Sequence, residues 1–387
     1  MGATNVRGQL VDFWISCHNV TDGSGQAARV ASPEQQARMS ETKILFVGAG
    51  AVGASVAAWT AAAGADVAIV DVGDVQAALR ACGITTYQVD RPDSTRRSVA
   101  VRAVDRLADF GDAEIVVLAV KNYNLVDAAK RVREAFGDRP IIVSMANGVE
   151  NQQVLPKLFS RVIYCVVGYN ARRDPPMMIG YQKKGPLLIG TPDNSLSSEM
   201  RLVQTVLARG CPTDIVDRLQ DAVHTKIVMN LTNALDALVG RGYHTLSSFP
   251  VYQHVLLQTL WEGVEVIRAA GYREFAIAGM PSFTLLTLAR LLPGWMIRPI
   301  FRQKLRLMVM ASMTQDVVLR GGVNTELDSI TGYLVRLATK VGVAAPYNQA
   351  IYRLGKEKFH PGFRPLRCED VFAAVQQPAG ACPDGST

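Results

Sequence analysis

Three polar residues at helical spacing, Lys226, Asn230 and Asn233, lie in an otherwise apolar stretch of the chain. Separations of four and three residues place the three side chains on one face of a helix. A lysine and two amides among apolar neighbours can hold an oxygen-rich ligand, because a buried polar group is costly unless something satisfies its hydrogen bonds. A solvent-exposed polar stripe on the same helix is the alternative that this spacing leaves open.

A glycine-rich turn near residue 50 has the spacing of a phosphate-binding loop. Four apolar residues, Ile44 to Val47, predict a buried parallel strand that leads into the turn Gly48-Ala49-Gly50-Ala51-Val52-Gly53. In such a loop the first glycine permits a tight turn, the second lets the backbone approach a pyrophosphate, and the third lets the helix pack on the strand. Asp71 ends the next apolar strand, 23 residues after Gly48, where a carboxylate can bind a ribose 2′-hydroxyl. We expect dinucleotide binding, with a purely structural glycine turn as the alternative.

Two further apolar strands end in polar residues. Lys121 follows the run Ile115 to Val120, and Asn147 follows the predicted strand Ile141 to Met145. In a doubly wound sheet, ligands bind at the carboxyl ends of the strands. Lys121 is therefore expected where a cofactor or a substrate would lie.

A third polar cluster contains Ser312, Asp316 and the run Asn324-Thr325-Glu326-Leu327-Asp328. Asn324 or Thr325 suits the N-cap of a helix, and the acidic residues after it favour a first helical turn through the helix dipole. This structural explanation and a role in a ligand site both remain open for the run.

The order of these patterns predicts an α/β half followed by a helical half. Strands and helices alternate regularly in the first part, which indicates a parallel sheet with right-handed crossovers, and shorter runs between 162 and 189 suit further, partly antiparallel strands. Long helical patterns follow, at residues 220–239, 252–271, 283–318 and 326–341. We expect a Rossmann-type dinucleotide-binding domain over residues 41–216 and a helical substrate and dimerisation domain over residues 217–376.

The two ends of the chain have a different composition. Residues 1–40 carry no sustained period and are expected to form a loose extension, and residues 377–387 a flexible tail. Met39 precedes the first strand as a short native N-terminus usually does. Translation beginning at Met39 would leave residues 1–38 outside the native protein, and detection of a peptide from residues 1–38 in the native protein would contradict this hypothesis.

Composition narrows the class of protein. The chain of 387 residues is 49% hydrophobic and 19% charged, which is ordinary for a globular protein of two domains. The six cysteines lack the spacing of metal ligands, and no signal peptide or clean membrane span is evident, so we expect a cytoplasmic protein without a structural metal. The net charge of +7 comes with no nucleic-acid-binding motif, so we expect no nucleic-acid partner.

Five of the basic residues lie in one apolar segment without any acid, residues 275–310. This basic segment is open to several interpretations. It can reshape a pocket for a larger anionic or acyl substrate, form a dimer surface, rest on a membrane face, or simply add helices to the domain. Membrane contact is the interpretation that we favour least.

Taken together, the motifs resemble those of the ketopantoate reductase family (2-dehydropantoate 2-reductases). The resemblance covers residues 42 to 360 and rests on motifs that occur in the family's order: Gly48 to Gly53, Ala119-Val120-Lys121, Ala146-Asn147-Gly148-Val149-Glu150, Lys226-xxx-Asn230-xx-Asn233, Ser312-Met313-xx-Asp316, Thr325-Glu326-xx-Asp328 and Ala345-Pro346-Tyr347-Asn348. No single motif is specific, but their order is. The resemblance implies a Rossmann domain joined to a helical, 6-phosphogluconate dehydrogenase-like domain, with the active site in the cleft between them.

The resemblance also implies an activity. It is the NAD(P)H-dependent reduction of 2-dehydropantoate, or of a related 2-keto acid, for pantothenate and coenzyme A biosynthesis, by a homodimer. Lys226 would be the general acid, and Glu326 would hold the hydroxyl side of the substrate or orient the lysine. A lysine with an ordinary pKa is protonated at neutral pH and can supply the proton that the reduced oxygen needs.

Binding residues are implied in the same way. Asn147 and Asn230 would position the substrate and the nicotinamide, Asn233 would join them at the substrate, and Ser312 would bind the substrate carboxylate. Lys121 and Asn147 would line the cofactor cleft. Positioned amides and a serine suit this role because they stabilise the carboxylate and the negative charge that develops on the oxygen.

Three features depart from the family's pattern, one of which is that Val309 and Thr331-Gly332 stand where the family often has Asn and Asn-Gly. Many members carry an arginine after the second strand, which suits the 2′-phosphate of NADP, whereas this chain has Asp71, which suits the free 2′-hydroxyl of NAD. We expect NADP, as in the family, with NAD as the alternative. The basic segment 275–310 is longer than the family's usual connection. Two alternatives remain. One is another activity of the superfamily, that of a 3-hydroxy acid or opine-type dehydrogenase. The other is a non-catalytic dinucleotide sensor.

Overall fold

Short runs of buried aliphatic residues form the strands of this protein. The computed structural model describes residues 42–307, 310–322 and 324–377. The expected N-terminal extension, the proposed start at Met39 and residues 378–387 of the expected tail lie outside these residues. The described residues contain twelve strands, which in chain order are β1 (Lys43–Val47), β2 (Asp66–Val70), β3 (Ile84–Gln88), β4 (Arg97–Val99), β5 (Arg102–Ala103), β6 (Ile115–Leu118), β7 (Ile141–Ser144), β8 (Val162–Val167), β9 (Ala171–Asp174), β10 (Met178–Tyr181), β11 (Leu187–Gly190) and β12 (Thr213–Ile215).

Eight strands form the main sheet, in the order β12-β11-β8-β7-β6-β1-β2-β5. Neighbouring strands are parallel except β11, which runs antiparallel to β8. The strand order reverses between β1 and β6, and this is where a doubly wound sheet opens a crevice for ligands. The glycine turn follows β1 and Lys121 follows β6, so both predicted features lie at this crevice.

A second, four-stranded sheet has the order β4-β3-β10-β9, with β10 antiparallel to β9 and parallel to β3. Strands after residue 162 were expected to be partly antiparallel, and the pairs β8–β11 and β9–β10 confirm this expectation. The second sheet packs on the helix that follows the glycine turn.

Fifteen α-helical segments occur among the described residues. They are α1 (Ala51–Ala62), α2 (Gly73–Cys82), α3 (Pro92–Thr95), α4 (Asn122–Phe136), α5 (Asn151–Val154), α6 (Ser197–Ala208), α7 (Leu219–Asn230), α8 (Thr232–Val239), α9 (Phe249–Ala269), α10 (Phe283–Leu291), α11 (Gly294–Leu307), α12 (Ser312–Thr314), α13 (Tyr333–Val341), α14 (Pro346–Lys358) and α15 (Cys368–Gln376). Short π-helical turns, Gln315–Leu319 and Asp328–Gly332, follow α12 and precede α13. The predicted α/β fold with a helical second half is confirmed.

Two long helices predicted from the periodicity are divided in the structure. The pattern 220–239 forms α7 and α8, because the amide of Leu231 donates to both Ile227 O and Val228 O and tightens the turn between them. The pattern 283–318 forms α10, α11 and α12, and Pro293-Gly294 separates the first two. Proline and glycine both favour such an interruption.

A long central helix, α9, contacts most of the others in the helical half. Its buried Glu262 accepts hydrogen bonds from the amides of Tyr347 (2.9 Å) and Asn348 (3.0 Å) at the start of α14. The Asn348 side chain also donates to Glu262 (2.8 Å). A carboxylate at a helix N-terminus satisfies amides that the helix leaves free, so this buried group orders the helical half. None of the helices in the described part of the chain combines the length and apolar character that a membrane span requires.

Candidate active site

The glycine turn after β1 is shaped by close backbone approaches. Gly48 has φ +105°, and a Cβ there would lie 2.8 Å from the carbonyl oxygen of Ala119, at the end of β6. A Cβ at Gly53 would collide with the carbonyl oxygen of Gly48. At Gly50, in contrast, a Cβ would meet no atom within 4 Å. Two of the glycines are therefore required by the fold, and the third leaves open space beside the start of α1, where a pyrophosphate fits.

Asp71 lies beside this turn. Its carboxylate accepts a hydrogen bond from the amide of Val72 (2.7 Å) and another from the amide of Ala49 within the turn. The acid at the end of β2 is thus next to the glycine turn. Its chemistry fits a ribose hydroxyl, because a carboxylate is an acceptor only and a hydroxyl can donate to it.

A cation from the second sheet reaches the same neighbourhood. Burial lowers the pKa of Arg173, on β9, and the positive charge of Arg320 lowers it further, while the charges of Asp71 and Asp316 act in the opposite direction. The charges of Arg173 and Asp71 therefore interact, although no ion pair joins the two side chains among the described residues. A guanidinium is well suited to a phosphate group.

At the end of β6, Lys121 joins the two halves of the chain. Its amine donates to Glu326 (2.8 Å) and lies 3.3 Å from Asp316, whose other oxygen accepts from Arg320 (2.8 Å). Burial acts to lower the pKa of Lys121, but the charges and hydrogen bonds of Glu326 and Asp316 outweigh it, so the pKa is raised. Lys121 is therefore a fixed cation that holds two acidic side chains of the helical half against the sheet edge.

Asn147, after β7, continues this chain of contacts. Its side-chain amide points to Glu326 at 3.5 Å, and its side-chain oxygen lies 3.4 Å from the amide of Asn230 at the end of α7. These are long contacts for hydrogen bonds, which an inserted ligand group can replace. The loop itself is held firmly, because Asn122 donates to the carbonyl oxygen of Asn147 at 2.6 Å.

Lys226 is buried on α7, one turn before Asn230. It is 9% exposed, and its amine forms no hydrogen bond or ion pair with the residues that the structure describes. Burial alone lowers the pKa of Lys226 to about 8. An unpaired buried ammonium lowers the stability of the folded protein, unless a ligand places a hydrogen-bond acceptor beside it.

The structure brings Lys121, Asn147, Asn230 and Glu326 into one group of contacts, and Lys226 lies on the same helix as Asn230. The carboxylate of Glu326 binds Lys121 rather than Lys226 in this arrangement. Asn233 and Ser312 lie at the starts of α8 and α12, two helices in contact, and neither side chain forms a hydrogen bond with the described residues.

Two charged residues of this group were not among the predicted site residues. The sequence motif includes Asp316 without a site role and does not include Arg320. Their spacing of four residues was the signal available, because residues i and i+4 face each other on a helical turn. In the described part of the chain, no group of three or more His, Cys, Asp or Glu side chains is arranged to hold a metal ion.

Two family models match the chain. Residues 44–194 match "Ketopantoate reductase PanE/ApbA", and residues 218–359 match "Ketopantoate reductase PanE/ApbA C terminal". The 2-dehydropantoate 2-reductase of Archaeoglobus fulgidus is 24% identical over 327 residues, covering 82% of this chain and 97% of that protein. The enzyme of the same name from Halobacterium salinarum is 25% identical over 308 residues, covering 79% and 94%.

Solved structures share the fold. A PanE/ApbA family ketopantoate reductase from Ralstonia eutropha JMP134 superposes with a TM-score of 0.64 at 24% identity, covering 87% of this chain and all of the other. D-mandelate dehydrogenase with NADH and anilino(oxo)acetate superposes with a TM-score of 0.63 at 16% identity, covering 82% and 97%.

The sheet is doubly wound and has a glycine turn at its switch point, and the helices that follow bring a lysine and amides to the same edge. This is the arrangement of a nicotinamide-dinucleotide-dependent oxidoreductase acting on a CH–OH group. The two matched regions together span well over half of the sequence, one in each half of the fold. The chain belongs to the ketopantoate reductase family.

Proposed function

We propose that this enzyme reduces 2-dehydropantoate, or a closely related 2-keto acid, to the 2-hydroxy acid, with Lys226 as the general acid. The names of the relatives from Archaeoglobus fulgidus and Halobacterium salinarum support this substrate, and none of the matches described above favours a 3-hydroxy acid or an opine. In this proposal the product is pantoate, an intermediate on the route to pantothenate and coenzyme A.

The buried, unpaired amine of Lys226 is the observation that carries the proposal. When bound, a reduced nicotinamide supplies the hydride for such a reaction. The oxygen of the reduced keto group must then gain a proton, and an amine with a pKa of about 8 is still mostly protonated at neutral pH. A pKa closer to the working pH also makes the proton easier to transfer than from an ordinary lysine.

The remaining groups bind and orient the substrate. Asn147 and Asn230 would exchange their long mutual contact for hydrogen bonds to the substrate oxygen and to the carboxamide of the nicotinamide. Asn233 and Ser312, whose side chains form no hydrogen bonds with described residues, would bind the substrate carboxylate. Glu326, held in place by Lys121, would accept from the substrate hydroxyl.

The cofactor proposal is NADP, with NAD as the alternative. Asp71 favours a free 2′-hydroxyl, because its charge repels a phosphate. Arg173 acts in the opposite direction, because its charge interacts with that of Asp71 and a guanidinium can bind a 2′-phosphate. Arg173, on β9, would thus supply the positive charge that an arginine after the second strand supplies in many family members.

The test is nicotinamide absorbance with purified protein and 2-dehydropantoate, run in parallel with NADPH and NADH. Rapid oxidation of NADPH supports the whole proposal, and rapid oxidation of NADH alone supports the substrate but reverses the cofactor. Binding of either cofactor without turnover would contradict 2-dehydropantoate as the substrate. Screening of bulkier 2-keto acids would then be required.

A further inference from the structure

A second concavity, separate from the catalytic group, lies where the second sheet meets the helical half. Its volume is about 930 Å³, near the upper end of the range of about 300–1,000 Å³ that holds small organic ligands. The basic segment forms one wall through Arg302, Leu305 and Met310, and the loop between α8 and α9 forms another. We call this concavity the arginine cleft.

The unpaired charge of the arginine cleft is positive, because Arg172 and Arg241 are paired with Asp174 and Asp236 whereas Arg302 is not paired among the described residues. Three arginines line it, namely Arg172, Arg241 and Arg302, against a single acid, Asp90. Asp90 has its own cation, Arg91, at 3.7 Å. Arg302 forms no ion pair with the described residues and lies over the ring of Phe249 at 5.0 Å, so its charge is free to attract an anion.

Arg241 shows that the cleft has an unused donor. It is only 7% exposed and pairs with Asp236 at 2.6 Å, but its Nε has no hydrogen-bond partner among the described residues. Buried donors in native structures nearly always have acceptors, so the Nε of Arg241 is an unsatisfied donor in the wall of the cleft.

Two further features of the wall specify the ligand. The 21-residue helix α9 begins in the cleft, with Ser248 as its N-cap, so the positive end of its dipole favours an anion there. Leu246, Phe249 and Leu305 contribute apolar surface to the same wall. The ligand must therefore combine an anionic group with an apolar body.

We propose that the arginine cleft binds an organic anion with an apolar body, such as a carboxylate on an alkyl or acyl chain. None of the catalytic or substrate-binding residues proposed above lines the cleft, but Met310 in its wall is two residues from Ser312. The anion is either the far end of a larger keto acid or a separate molecule. The binding does not depend on which keto acid the enzyme reduces.

The experiment is isothermal titration calorimetry of the full chain with octanoate, and with octan-1-ol as the neutral match. Octanoate is expected to bind and octan-1-ol to bind far more weakly. Arg302→Ala should weaken octanoate roughly threefold to tenfold, and Arg302→Glu more. Arg131→Glu is the matched control, because Arg131 is an exposed arginine within a helix, α4, and does not line the cleft. Equal binding of octan-1-ol and octanoate, or equal effects of the two glutamate variants, would overturn the proposal.

Steady-state kinetics then distinguish the two sources of the anion. Octanoate that raises the KM for 2-dehydropantoate without lowering kcat indicates that the cleft holds the far end of a larger keto acid. Octanoate that binds with KM unchanged indicates a separate anion. Loss of turnover on its own, with octanoate binding intact, would count against the proposed substrate and leave the arginine cleft supported.

Discussion

At the scale of single residues, Lys226 is the side chain on which the proposed reaction depends most. The amine is buried without a partner, and its pKa is lowered to about 8 by that burial. Lys226→Ala should reduce kcat/KM by roughly a hundredfold to ten-thousandfold, as expected for loss of a general acid. The rate of the wild-type enzyme should fall as the pH rises through about 8, because the protonated amine is the active form.

The pH profile is the stronger half of this test. Steady-state rates between pH 6 and 10 should show the alkaline limb in the wild type and not in Lys226→Ala. Lys183, an exposed lysine, provides a control whose replacement by alanine should change neither rate nor profile. Near-normal activity of Lys226→Ala would remove the lysine from the mechanism.

The same burial predicts that Lys226 costs stability. The amine has an ordinary pKa near 10.5 when unfolded and about 8 when folded, so folding disfavours the charged form. The penalty is complete below pH 8 and disappears as the pH rises from 8 to 10.5. Lys226→Met should therefore raise the free energy of unfolding at pH 7 by about 1–3 kcal/mol while abolishing activity. Urea denaturation at pH 7 and pH 10 should show this gain shrinking at the higher pH, and a destabilised Met variant would contradict it.

Arg173 gives a third prediction at this scale, concerning the cofactor. If its guanidinium serves the 2′-phosphate, Arg173→Ala should raise the KM for NADPH by about tenfold and leave the KM for NADH nearly unchanged. The measurement is the ratio of kcat/KM values for the two cofactors. Asp71→Ala is the matched variant and should shift the ratio in the opposite direction. An unchanged ratio in the Arg173 variant would assign NADP selectivity elsewhere.

Residue types and spacing predicted which residues lie in this group better than which side chains contact each other. Lys226 and Asn230 share a helix, so their neighbourhood follows from periodicity, and Glu326 came only through the family resemblance. The pairing of Lys121 with Glu326 joins positions 205 residues apart. No local pattern encodes such a contact, because it depends on how the helical half packs against the sheet edge.

At the scale of elements, the glycines of the turn have different roles, one in cofactor binding and another in folding. Gly50→Ala places a Cβ in open space, so the protein should fold normally but bind the cofactor more weakly, with a KM raised about tenfold or more. Gly53→Ala places a Cβ against Gly48 and Ala119 and should destabilise the fold by about 1–3 kcal/mol. Thermal unfolding and cofactor titration of the two variants test this contrast. A Gly50 variant that unfolds as readily as the Gly53 variant would show that both glycines are structural.

The strands were predictable because their apolar runs are short and end in polar residues. Helix limits were less predictable, because an apolar period continues across a break. The apolar pattern 283–318 continues across Pro293-Gly294, although this dipeptide favours the break between α10 and α11, and the spacing around Leu231 is helical on both sides of the turn. Tertiary packing decides such interruptions, and periodicity reports only the face that is buried.

At the scale of the whole molecule, the two halves are held together at the site itself. Glu326 is 5% exposed and Asp316 11%, and Lys121 lies against both of them from the sheet edge. The loop after β7 makes a second contact, in which the hydroxyl of Ser329 donates to Glu150 at 2.8 Å. The order of the halves followed from the sequence, but these contacts between them required the structure.

The Lys121–Glu326 pair therefore predicts that stability and catalysis are coupled through one interaction. Lys121→Met removes the cation that contacts both buried carboxylates, and should lower the free energy of unfolding by about 2–4 kcal/mol. Glu326→Gln should cost less, because the amide remains polar and uncharged beside the lysine. In a double-mutant cycle measured by urea denaturation, the double variant should be more stable than the sum of the single effects predicts, by about 1–2 kcal/mol. Additivity of the two substitutions would mean that the halves are joined by apolar packing, and that Lys121 is positioned only for the cofactor.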